Sequence, residues 1–147
     1  MADQFQNEIQ ISTDKNKLDV DFIHQYLSNK SYWAKGRGKN IVIKSIENSL
    51  CFGVYSNKKQ IGFARVVTDY AVFVWIMDVF IIDECKGNGY GKKLMNAIMS
   101  NKQLKIPQRW GLATKDAHGL YEKFGFELLK NPQYMMELTR EENADNG

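Results

Sequence analysis

The run AVFVWIMDVFIID, residues 71–83, limits the fold of this 147-residue chain more than any other stretch. It is apolar at both odd and even positions, so a strand built from it carries apolar side chains on both faces. Such a strand is stable inside a sheet whose two faces are both covered. Helices on each side supply that cover, which makes the chain a layered α/β domain. Asp78 interrupts the run, and a buried carboxylate is costly unless it is paired. The same interruption, with the shortness of the run, argues against a membrane span.

The rest of the chain supplies the expected neighbours. NEIQIST (7–13) alternates and reads as a strand. Leu18, Phe22 and Tyr26, flanked by Ile23 and Leu27, predict an amphipathic helix ending near Ser28. Residues 29–40 read as loop, and IVIKSIENSL (41–50) fits either a short helix or an irregular segment. Residues 51–69 read as two strands around a tight turn at Asn57–Lys59. After the buried strand, Tyr90, Leu94, Ala97 and Ile98 form one helical stripe with Met95 and Met99 beside it. RWGLATK (109–115) reads as a short strand. Asp116 is the expected N-cap of a helix over AHGLYEKF, and Gly125 its stop. FELLK and YMMELTR are expected to close the fold as two strands around Pro132, before a frayed tail at 141–147. The length fits one domain over 1–147.

Composition narrows the function. With 44% hydrophobic and 25% charged residues the chain reads as a folded soluble protein. A net charge of +3, with no basic block longer than a pair, gives a weak footprint for nucleic acid. Cys51 and Cys85 form no CxxC and have no nearby histidine pair, so no metal is expected. The polar start MADQFQNEIQ lacks a signal-peptide core, and a cytoplasmic setting with reduced thiols is expected.

CKGNGYGKKLM (85–95) follows the buried strand and opens the next helix. The first turn of a helix has unpaired N–H groups and a partial positive charge, so an anion is favoured there. Gly87, Gly89 and Gly91 let the backbone approach oxygen atoms closely, and Lys86, Lys92 and Lys93 add charge. A P-loop is excluded because Gly91-Lys92 is followed by Lys93 and the earlier glycine is missing. A dinucleotide fingerprint is excluded because position 92 is lysine.

The spacing that remains, Lys86-x-x-Gly89-x-Gly91, resembles the acyl-CoA pyrophosphate loop of the GNAT superfamily of N-acetyltransferases, with lysine where glutamine or arginine is commoner. LYEKFGF (120–126) resembles that family's later helix, and the element order from about 8 to 139 is similar. The resemblance implies a mixed, mostly antiparallel sheet with splayed central strands and helices on both faces. It implies a bulge in the buried strand and a cleft that takes acetyl-CoA as co-substrate. Backbone groups of Val79, Phe80 and Ile81 would then hold the pantetheine arm. Lys86, Gly87, Asn88, Gly89, Tyr90, Gly91 and Lys92 would hold the pyrophosphate. Thr114 stands where the family often has an asparagine that touches the arm.

The resemblance also implies a reaction. An amine acceptor attacks the thioester directly in a ternary complex, and Tyr121 gives a proton to the leaving CoA thiolate. A half-buried structural tyrosine is the plainer reading of Tyr121. Asp78 fits a base or an anchor for the acceptor ammonium. It equally fits an ion pair with Arg65, or hydrogen bonds to backbone amides at the bulge. Tyr26, Tyr32, Trp33 and Arg37 fall where the family walls its acceptor site, Tyr32 and Trp33 as cation–π partners; they also suit a small core under a loop. Cys85 has no activating neighbour except Lys86. A non-catalytic CoA- or nucleotide-binding regulatory domain is the competing function. The expected partners are acetyl-CoA and an amine, without nucleic acid or membrane, and a homodimer is left open.

Overall fold

The computed structural model describes residues 9–141. Residues 7–8 of the first expected strand, and 142–147 of the expected tail, lie outside that range. The elements run β1 (Ile9–Ser12), α1 (Val20–Asn29), α2 (Lys39–Glu47), β2 (Leu50–Ser56), β3 (Lys59–Thr68), β4 (Phe73–Ile81), α3 (Tyr90–Met99), β5 (Arg109–Leu112) and α4 (His118–Glu122). The strands form one sheet in the order β1-β2-β3-β4-β5. The first three pairings are antiparallel and β4–β5 is parallel.

Local sequence explains most boundaries. Asp19 caps α1 by accepting from the Phe22 amide at 3.1 Å. The undecided stretch 41–50 is mostly helix, because Val42 and Ile46 stand four residues apart and both go inward. Asn57 and Lys58 take φ of 51° and 69°, the left-handed pair that a two-residue hairpin turn demands. Gly125, at φ 94°, closes α4: its amide donates to the Glu122 carbonyl and the Phe126 amide to the Tyr121 carbonyl.

One face of β4 is covered along the strand, and the other is covered at its C-terminal end. One face joins a core of Phe52, Val54, Val66, Val74 and Ile76 with Leu94, Met95 and Ile98 of α3. The other packs Phe63 and Phe80 against Ile23, Leu27, Val42 and Ile46 of α1 and α2. Among the described residues no helix is long and apolar enough to cross a membrane.

Three expectations are corrected. Asp116 does not cap α4: Ala117 takes the cap position, and its amide donates to Thr114 Oγ1 at 3.0 Å. The strand 109–115 ends at Leu112. FELLK and YMMELTR are not strands, and only a short 3-10 turn at Pro132–Tyr134 is regular there. Strand propensity is realised only against a partner edge, and β5, the last strand of the sheet, pairs with β4 alone. Phe126 packs on the core, but the later apolar side chains stay outside, with Leu128 79% and Met136 95% exposed.

Candidate active site

The site follows from the mismatch between β4 and β5. Their pairing runs from Phe73↔Arg109 to Ile76↔Leu112 and then stops, while β4 continues to Ile81. Past Ile76, β4 therefore has β3 on one side and no strand on the other. A strand edge without a partner leaves backbone groups that need one.

At the start of that gap β4 bulges. Phe63 pairs with Phe80 but Arg65 pairs with Met77, so Asp78 and Val79 together oppose Ala64. Asp78 sits at φ 54°, a conformation that aspartate tolerates better than most residues. Its buried carboxylate is fully engaged. Oδ1 accepts from Trp33 Nε1 at 2.9 Å, and Arg37 Nη1 reaches both oxygens at 3.1 and 3.0 Å. Arg65 Nε donates to Oδ2 at 2.8 Å, while Arg65 Nη1 donates to Ser49 Oγ at 3.1 Å. The ion pair with Arg65 anticipated as an alternative is thus present, and Arg37 and Trp33 join it. Both carboxylate oxygens are taken up by these donors, and the visible work of Asp78 is to fix the bulge and to pin loop 30–38 against β4.

The glycine loop lies at the far end of β4. Gly87 and Gly89 take φ of 85° and 78°, and a Cβ at either would meet nothing within 4 Å. Gly89 is the N-cap of α3 and offers no side chain to its amides. Among the described residues, the amides of Gly87, Asn88, Gly89, Gly91 and Lys92 donate to no protein acceptor. Donors pointing into open space at a helix start suit a diphosphate. Lys86 bonds Asp83 at 2.8 Å, so its charge is shared, and that contact raises its pKa. Asn88 turns back, donating from Nδ2 to the Cys85 carbonyl at 3.0 Å.

Two cavities meet at the gap. The first, about 680 Å³, runs from the glycine loop along Val79, Phe80 and Ile81 to Tyr121. It also holds Lys86, Gly87, Gly89, Tyr90, Gly91 and Lys92, with Tyr32 and Trp33 at its side. The second, about 420 Å³, lies toward Trp75, Met77, Asp78 and Thr114. Tyr32, Trp33, Val79, Asp116, Ala117 and Tyr121 border both. The uncapped donors at the end of the first cavity suit an anionic group there.

Tyr121 stands at the junction. It is buried, and its hydroxyl has no hydrogen-bond partner among the described residues. Burial pushes its phenol up to about 12, with the charges of Tyr32 and Asp116 adding to the effect. Such a phenol keeps its proton at neutral pH and is available as a donor. Loop 30–38 also reaches across the gap, since the Lys115 amide donates to the Tyr32 hydroxyl at 2.8 Å.

Most of the residues picked from sequence share this cleft; Thr114 is the main departure. It borders only the second cavity and its hydroxyl is used on Ala117, so it does not reach the first. Tyr26 stacks on Phe80 at 3.9 Å and lines the first cavity instead of walling the second. Cys51 is buried, its thiol pushed up to about 11 by burial, which suits packing. Sequence reasoning missed Trp75, Met77 and the place of Asp116 at the border of both cavities. The two-residue alternation of Phe73, Trp75 and Met77 was the available signal for the first two.

Comparison with known proteins agrees with this geometry. Residues 47–128 match the family model for the acetyltransferase (GNAT) domain, and the chain belongs to that family. A crystal structure from Xanthomonas campestris pv. campestris, described as "a putative acetyltransferase belonging to the gnat family", superposes with a TM-score of 0.88. It is 43% identical and covers 90% of this chain and 94% of its own. "Uncharacterized N-acetyltransferase ycf52" of Pyropia yezoensis is 28% identical over 85% of this chain and 72% of its own length. "Putative acetyltransferase FG08082" of Gibberella zeae is 27% identical over 60% of this chain, and the match spans 60% of that protein.

Proposed function

We propose that the chain is an acyl-CoA N-acyltransferase that moves the acetyl group of acetyl-CoA to a primary amine. The neutral amine attacks the thioester carbonyl, the C–N bond forms and the C–S bond breaks. Tyr121 protonates the departing sulfur, the proton lost by the attacking nitrogen restores the phenol through solvent, and no covalent enzyme intermediate forms. A backbone amide at the bulge, in the stretch Val79 to Ile81, would polarise the thioester oxygen.

One observation carries this reading. An unpartnered, protonated phenol sits where a cavity with uncapped amides at its far end meets a second cavity. Asp78 enters as a positioning residue, because its carboxylate is committed to Arg37, Arg65 and Trp33. Thiol release from acetyl-CoA with a panel of amines tests the activity. Tyr121→Phe is expected to lower kcat by about a hundredfold, within the usual range for a general acid, with little change in the KM for acetyl-CoA. Unchanged turnover in that variant would remove Tyr121 from the reaction. Coenzyme A binding without thiol release for any amine would favour a regulatory domain instead.

A further inference from the structure

The second cavity has a chemistry of its own. β4 places Phe73, Trp75 and Met77 on one face, all at least partly exposed. The helices α1 and α2 cover that face of the sheet only around Cys51, Phe63 and Phe80, leaving these three open. The rings of Phe73 and Trp75 stack at 6.1 Å and 11°. The Trp75 indole lies across Gly111, where a Cβ would come within 2.6 Å of the ring. A glycine at 111 is thus what lets the indole lie against β5. Of the three β4 residues, Trp75 and Met77 line the second cavity, and Trp33 and Tyr32, edge to face at 5.1 Å, border it from the loop. Flat apolar walls of this kind favour a flat apolar body.

Two charged groups at that cavity, Lys115 and Asp116, have no ion pair among the described residues, and the others are engaged. Arg37 is bound to Asp78, and the Lys115 ammonium lies 5.5 Å over the Tyr32 ring. Asp116 has no ion pair or hydrogen bond from its carboxylate among the described residues. It borders both cavities, beside Tyr121. An open carboxylate next to aromatic walls selects a cation, whereas an acceptor with its own carboxylate meets Asp116 as a like charge.

We propose that the acceptor is an arylalkylamine without an α-carboxylate, its ring against Trp75 and its ammonium guided by Asp116 to the junction at Tyr121. This rests on the acetyltransferase reading and deepens it. The probes are 2-phenylethylamine, phenylalanine and putrescine, titrated by calorimetry into the chain saturated with coenzyme A, so that binding is read apart from turnover. The expected result is that 2-phenylethylamine binds at least about tenfold more tightly than either of the others. Asp116→Asn is expected to weaken it about two- to fivefold, Asp116→Glu to restore part of the loss, and Trp75→Ala to weaken it about five- to tenfold. In steady state the same variants raise the amine KM more than they lower kcat. Equal or tighter binding of phenylalanine or putrescine overturns the proposal, as does an Asp116→Asn variant that binds 2-phenylethylamine like the parent. If coenzyme A itself fails to bind, the acetyltransferase reading falls, and the same amine titration into the free chain still decides the acceptor preference.

Discussion

Asp78 holds φ 54° inside a strand and carries contacts from Trp33, Arg37 and Arg65. Replacing it with asparagine keeps the shape and removes the charge, leaving two guanidinium groups facing a neutral amide. Breaking a buried pair on one side costs about 3–5 kcal/mol, so Asp78→Asn is expected to lose stability of that order in a denaturant titration. A loss below about 1 kcal/mol, the scale of an exposed pair, would contradict the account. Asp78 could be picked out in the sequence because a charge in an apolar run breaks the local pattern, and Tyr121 because a motif surrounds it. Asp116 breaks nothing: an aspartate suits a helix start, so its place at the border of both cavities is visible only in three dimensions. Titration follows from the same residues. The phenols of Tyr55 and Tyr121 are pushed up from 10.0 to about 12 and the Cys51 thiol from 9.0 to about 11, each chiefly by burial. In each case the folded state keeps the proton that the unfolded chain loses first. Their contribution is therefore complete below pH 9 and fades as pH climbs through the folded values. Denaturation midpoints measured from pH 8 to 11 are expected to fall steadily above 9, and acetyl transfer is expected to show no loss from Tyr121 ionisation across that span.

The unit β4–glycine loop–α3 is the element that the sequence announced most clearly, since a two-faced apolar strand, glycines and a helical stripe each have a local cause. The C-terminal segments show the opposite case. FELLK and YMMELTR have strand-like residues, but a strand needs an edge to pair with, and nothing within the segment reports that the sheet ends at β5. The cap of α4 failed in a similar way: Asp116 is a good cap on paper, but Ala117 takes the position without a side-chain cap, and Thr114 Oγ1 accepts from the Ala117 amide. Gly89 ties the glycine loop to its proposed task. Its left-handed backbone strains any residue with a Cβ, at a cost of about 1–2 kcal/mol, and that Cβ would project into the open space before the amides. Gly89→Ala is expected to fold, to melt lower, and to bind coenzyme A several-fold more weakly than the melting change alone implies. Equal affinity in calorimetry would move the diphosphate elsewhere.

At the scale of the molecule, two packed cores meet along the sheet, and the cleft opens where β4 and β5 part. The glycine loop, the open edge of β4 and the α4 helix border one cleft, and the Tyr32–Lys115 contact crosses it. On the proposed function, a bound coenzyme would touch all three and would bind the folded chain alone. Mass action then adds about 2.7 kcal/mol at a hundredfold excess over Kd. For a chain of this size each kcal/mol raises Tm by about 2–4 °C, so saturating acetyl-CoA is expected to raise Tm by roughly 5–10 °C. Adenosine 3′,5′-bisphosphate, which lacks the diphosphate and the arm, is expected to give only a small part of that rise at the same concentration. An equal rise with both would place the binding energy in the nucleotide and not in the cleft between β4 and β5.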